Sequence, residues 1–107
     1  MQFLTPEFAV SPQISPEDVT VLAEQGFKVV ICNRPDGETP GQTPFAEIQK
    51  LCLDQGLAFH YLPMITREDA LAHVPKLQQI MAQQPGKVFA YCRSGTRSSI
   101  LWQAAQA

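Results

Sequence analysis

Cys92, Arg93 and Arg97 fall within six residues of chain, with Ser94, Gly95 and Thr96 between them and Ser98 just beyond. A cysteine beside guanidiniums is set up to ionise, and the thiolate is the nucleophile. The preceding run, Lys87-Val88-Phe89-Ala90-Tyr91, is apolar, β-branched and aromatic, which reads as a buried strand. The following run, Ser98-Ser99-Ile100-Leu101-Trp102-Gln103-Ala104-Ala105, holds good helix formers. A strand, a tight loop and a helix in that order aim successive backbone N–H groups at one point. The helix N-terminus adds partial positive charge there. Such a concavity binds anions. The sequence therefore nominates Cys92 and Arg97 as catalytic, with Arg93, Ser94, Gly95, Thr96, Arg97 and Ser98 binding the anion.

Four residues separate Cys92 from Arg97. This spacing resembles the Cys-x4-Arg loop of the rhodanese sulfurtransferases. Protein tyrosine phosphatases use a similar cradle with five residues between. One residue fewer removes roughly 3.5 Å of contour, or about half an ångström of loop radius. A smaller cradle suits a single sulfur carried on Cys92 better than a phosphate group.

Phosphate-ester cleavage asks for an acid to protonate the leaving oxygen. Asp36 and Asp69 are the aspartates near this loop. Asp36 is taken as the catalytic acid, although its place after Pro35 also suits a turn former. Asp69 has a ready job in a first helical turn. The turn Pro63-Met64-Ile65-Thr66 carries no acid of its own. Sulfur transfer needs none, because sulfite or a thiolate departs as an anion. His60 reads as a satisfied core or rim histidine and His73 as an outward-facing one. Cys32 and Cys52 fall on apolar faces and read as core, and Trp102 as the anchor of the last helix.

The elements that must position this loop follow from pattern. Phe8-Ala9-Val10 reads as a short edge strand. Ser15 caps a helix with Pro16 at its first position and Val19, Val21, Leu22 and Ala23 on its apolar face; Gly26 ends it. Residues 27–33 form a strand buried on both faces. Arg34 to Gln42 is a polar loop dense in turn residues. Thr43-Pro44 opens a helix with Phe45, Ile48, Leu51 and Cys52 at helical spacing, and Gly56 stops it. Ala58 to Leu62 is a strand. Thr66 caps a helix whose apolar stripe is Leu71, Val74, Leu77, Ile80 and Met81. Residues 83–86 turn the chain into the strand before Cys92. The alternation implies an α/β three-layer sandwich: a mainly parallel sheet of four to five strands with helices on both faces. Sites in such folds lie beyond the carboxyl ends of the strands. The Arg34–Gln42 loop, the Pro63–Thr66 turn and the Cys92–Arg97 loop should meet there.

At 107 residues this is a single domain, long enough to fold on its own core. A net charge of −2 without a basic stripe argues against nucleic acid. No run reaches membrane-spanning length, and the first residues lack a signal-peptide pattern. Three widely spaced cysteines fit neither a disulfide framework nor a zinc site, which suits a reducing, cytoplasmic setting. No metal or other cofactor is expected.

Two separated stretches carry a family resemblance: Gly26-Phe27-Lys28-Val29-Val30-Ile31-Cys32-Asn33-Arg34-Pro35-Asp36-Gly37-Glu38 and Tyr91-Cys92-Arg93-Ser94-Gly95-Thr96-Arg97-Ser98, with a weaker match at His60-Tyr61-Leu62-Pro63-Met64. They are similar to the bacterial phosphatase-like family once labelled domain of unknown function 442, also found fused to beta-lactamase-like hydrolases. Nearly the whole chain is covered. The family's usual Asn-x-Arg-Pro is here Asn33-Arg34-Pro35 directly. The resemblance implies a protein-tyrosine-phosphatase-like fold, with Cys92 as nucleophile and Arg97 as anion binder. The leading expectation is a sulfurtransferase working through a Cys92 persulfide, with thiosulfate or a persulfide as donor and a thiol acceptor. The alternatives are a phosphatase forming a Cys92 phosphocysteine from a phosphate ester, and a non-enzymatic anion or persulfide sensor.

Overall fold

The computed structural model describes residues 1–83 and 86–106. The elements run β1 (Gln2–Thr5), β2 (Phe8–Ser11), α1 (Asp18–Glu24), β3 (Phe27–Cys32), α2 (Phe45–Asp54), β4 (Ala58–Tyr61), α3 (Arg67–Gln83), β5 (Lys87–Tyr91) and α4 (Thr96–Ala105). They form one sheet of order β1-β2-β5-β3-β4, in which only the β1–β2 pair is antiparallel. The strand that delivers Cys92 is thus the middle one, flanked by β2 and β3. Its side chains alternate between two cores. Val88 and Ala90 join Val29, Ile31, Leu77, Ile80 and Leu101, on the α3 and α4 side. Phe89 and Tyr91 join Val19, Leu22, Val30, Ile48 and Cys52, on the α1 and α2 side. Helices therefore cover both faces, the three-layer sandwich expected from the alternation.

Several local expectations change. Phe8–Val10 is not at an edge: β1, which the sequence did not announce, lies outside β2. The four residues of β1 are exposed or half-buried, so they carry no core pattern to read. The first helix begins at Asp18 instead of at Pro16, and its cap is reversed. The Asp18 carboxylate accepts from both Ser15 N and Ser15 Oγ. Val21 and Leu71, assigned to apolar faces, are about half exposed, at 47% and 52%. His73 does not face bulk water; it is half-buried with Nε2 2.8 Å from Pro63 O. His60 Nε2 is buried without a hydrogen-bond partner, where a satisfied histidine was expected. Trp102 packs against the sheet as anticipated, its ring 6.1 Å from Phe8. Of the turn assigned to residues 83–86, Gln84 and Pro85 lie outside the described residues.

Candidate active site

Parallel pairing brings the carboxyl ends of β2, β5 and β3 level, with Ser11 opposite Tyr91 and Tyr91 opposite Cys32. The next residue of the middle strand, Cys92, still belongs to the sheet: its N–H donates to Ser11 O at 3.2 Å. Asn33 N in turn donates to Tyr91 O at 2.8 Å. The chain then turns sharply and enters α4 through Gly95, whose φ of 93° lies in the left-handed region that favours glycine.

Cys92 is fully buried, and Gly95 N donates to its Sγ at 3.0 Å. Burial alone would push this thiol up. The N–H groups of Ser98, Ser94 and Gly95 outweigh it and hold the thiol below its ordinary value. Of the amides expected around the sulfur, Gly95 N is hydrogen-bonded to it, and those of Ser94 and Ser98 lower its pKa. Ser98 is also anchored from below, its hydroxyl donating to Asn33 Oδ1 at 2.8 Å. Asn33 Nδ2 donates to Leu62 O at 2.9 Å, which fixes that amide's orientation and ties the cradle to the end of β4.

Arg97 reaches across all three loops. Its Nη1 donates to Glu38 Oε2 at 2.7 Å and to Met64 O at 2.9 Å, and Nη2 donates to Glu38 Oε1 at 2.7 Å. These contacts use three of the five donors of a guanidinium. The Nε–H and one Nη2–H take no hydrogen-bond acceptor among the described residues; they lie side by side on one edge, a fork for a two-oxygen anion. Hydrogen bonds to Glu38 raise the Arg97 pKa most, and the Cys92 sulfur adds to the effect. The three segments expected to meet at the sheet edge do meet, and Arg97 joins them.

Two residues of this centre were not singled out from sequence. Glu38 holds Arg97 end-on, and hydrogen bonds from Arg97 and then Arg34 pull its carboxyl down to about 2 against the cost of its burial. Arg34 is 4% exposed, and each of its nitrogens is engaged: Nε with Glu38 Oε1 at 3.0 Å, Nη1 with Gln13 Oε1 at 3.0 Å, Nη2 with Thr39 Oγ1 at 3.2 Å. A buried guanidinium needs such partners, since an unpaired one is costly. Arg34 and Arg97 share the one Glu38 carboxylate, and of the two it is Arg97 whose charge and that of the Cys92 sulfur favour each other. The available signal was a glutamate and an arginine in a loop leaving the same sheet edge.

The other expected site residues lie on the cysteine loop itself or at helix starts. Arg93, Ser94 and Thr96 are exposed on the loop, and Ser94 Oγ donates to Thr96 Oγ1 at 3.2 Å. A cleft of about 230 Å³ opens beside Ser94, Gly95, Thr96, Ser11 and Pro12. Asp36 is exposed, and one of its carboxyl oxygens is engaged: Oδ1 accepts from Phe45 N at 2.9 Å, at the start of α2. Asp69 accepts from Ile65 N at 2.7 Å and Thr66 N at 3.1 Å, and these bonds hold its carboxyl below the usual range. Among the described residues, no three His, Cys, Asp or Glu side chains converge to hold a metal ion. No helix among them is long and apolar enough to cross a membrane.

The whole chain, residues 1–107, matches the model of the phosphatase-like domain of beta-lactamase hydrolase-like proteins. It belongs to that family. A beta-lactamase hydrolase-like protein of Agrobacterium fabrum is 36% identical over 84% of this chain, and one of Xylella fastidiosa is 32% identical over 88%. The chain spans only 21% and 22% of those relatives. Among solved structures, a candidate phosphatase of Neisseria meningitidis superposes with a TM-score of 0.79 at 37% identity, over 94% of this chain and 72% of that one. A DUF442 candidate phosphatase of Shewanella putrefaciens gives 0.78 at 23% identity, over 99% and 66%. Tk-PTP in its active form gives 0.67 at 17% identity, over 98% and 79%, a likeness of fold alone. The phosphatase-like fold expected from the two motifs is thereby established for this family member.

Proposed function

We propose that this domain is a cysteine-dependent phosphatase that forms a phosphocysteine at Cys92. One observation carries the reading: a sulfur held under oriented amides lies beside a guanidinium whose outer edge keeps two donors for an oxyanion. The likeness to proteins described as candidate phosphatases supports it. Cys92 attacks phosphorus; the loop amides and the free edge of Arg97 take the equatorial oxygens as charge develops there. Asp36 is left to cap α2. Arg93, Ser94 and Thr96 line the mouth, where Arg93 supplies charge that draws anions in. The substrate is a small phosphate ester, and the setting is a reducing compartment such as the cytoplasm.

Sulfur transfer through a Cys92 persulfide is kept as a second reading because the loop is short and the neighbouring carboxyls are engaged. In that scheme the same amides would hold the outer sulfur. The two readings part on one experiment. Incubation with 4-nitrophenyl phosphate should release nitrophenol and leave a phosphoryl adduct on Cys92 by mass spectrometry, with both lost in Cys92→Ser. Thiocyanate formation from thiosulfate and cyanide, without any ester cleavage, would reverse the order.

A further inference from the structure

The phosphatase reading, on which this inference rests, narrows to one class of ester. Each carboxyl carried by the loops at the mouth can be traced to a partner or to solvent. Glu38 stays ionised, with both oxygens on Arg97 and one also on Arg34. The caps formed by Asp36, Asp69 and Asp18 each use backbone N–H donors, at Phe45, at Ile65 and Thr66, and at Ser15. Glu17 is exposed at the start of α1. The turn after β4 is also pinned at successive residues. Met64 N donates to Asn33 O at 3.0 Å, Met64 O accepts from Arg97, and Ile65 N is held by Asp69. A segment fixed this way does not swing an acid over the site as a mobile loop would.

We infer that the site cleaves phosphate monoesters whose leaving oxygen departs unprotonated, aryl esters above all, and spares alkyl esters. In the first step the Cys92 S–P bond forms as the P–O bond breaks. The electron pair leaves on an aryloxide, which takes its proton from bulk water. In the second, water attacks phosphorus, the S–P bond breaks with its pair returning to the thiolate, and both water protons leave on the released phosphate. An aryloxide spreads that pair into its ring; an alkoxide cannot, so without an acid its departure is slow.

The test is kcat/KM for 4-nitrophenyl, phenyl and ethyl phosphate with the unaltered chain. The fall from first to last should reach at least the factor of roughly 10²–10⁴ that a positioned acid supplies. The kcat for 4-nitrophenyl phosphate should show no decline on the alkaline side. Rates within about tenfold across the series, with an alkaline decline removed by Glu17→Gln or Asp36→Asn, would overturn the inference and name the acid. Failure of the underlying reading looks different: no phosphocysteine and no turnover even of 4-nitrophenyl phosphate, which ends both.

Discussion

Cys92 and Cys52 are the same residue at the same burial, each 0% exposed, yet their thiols move in opposite directions. Cys52 sits on the inner face of α2 with Ile48 and Phe59 in its core cluster, and burial pushes its thiol up to about 12. Cys92 suffers the same burial but faces amides at the start of α4, and its thiol is lowered. Backbone N–H groups inside a helix are spent on the carbonyls four residues back; those of the first turn are free. Burial therefore sets no reactivity by itself, and the orientation of unspent amides decides the sign. The largest expected effect breaks this contrast at its functional end. Cys92→Ser should lower turnover of 4-nitrophenyl phosphate by about 10³-fold or more. Substantial residual turnover in that variant would show that the ester is cleaved elsewhere.

The next effect concerns what keeps the charge balance beside Cys92. Arg97→Lys retains a cation but loses the fork, and should cost about 10²–10³ in kcat, with far less change in KM. Unchanged kcat would mean that the free edge of Arg97 does not meet the oxyanion. Glu38→Gln acts one step back, by loosening Arg97, and is readable in stability as well. The Glu38 carboxyl sits at about 2 in the fold against 4.5 when free. A depressed acid stabilises the fold fully above its unfolded value and loses that contribution as pH falls from 4.5 toward about 2. With the two side chains 20% and 21% exposed, solvent screening leaves about 2 kcal/mol of it. Urea unfolding at about pH 6 and about pH 3 should show a little over half of that loss, about 1 kcal/mol, in the unaltered chain and a smaller one in Glu38→Gln. Equal slopes with pH would assign the ion pair no role in stability.

The same contrast explains what could be read from the chain. The strand before Cys92, the glycine in the loop and the helix after it are local features, so the place of Cys92 on a strand-to-helix loop at the sheet edge was legible. Cys52 was legible as core for the same reason, through its helical spacing with Ile48. Glu38 was not, because its meaning depends on Arg97, 59 residues away in sequence. The hold on Asp36 was not legible either, because its partner, Phe45 N, becomes available only once the loop folds back on α2. Strand β1 lies at an edge with half-exposed residues, where no periodic burial marks it. Val21 and Leu71 show the limit of apolar periodicity: it names a face, and the fold leaves part of that face uncovered.

The smallest effect tests the inert half of the contrast. If oriented amides alone make Cys92 reactive, a cysteine buried among aliphatic and aromatic groups should matter only for packing. Cys52→Ala removes one sulfur from a filled site on α2 and should cost about 1 kcal/mol of stability. It should leave the alkylation of Cys92 by iodoacetamide, and the pH at which that alkylation is half-maximal, unchanged. That half-maximal pH should itself lie below the ordinary thiol value of 9.0. A shift in the Cys92 profile on removing Cys52 would mean that the two thiols are electrostatically linked across the α2-facing core. The local amides would then be only part of what ionises the nucleophile.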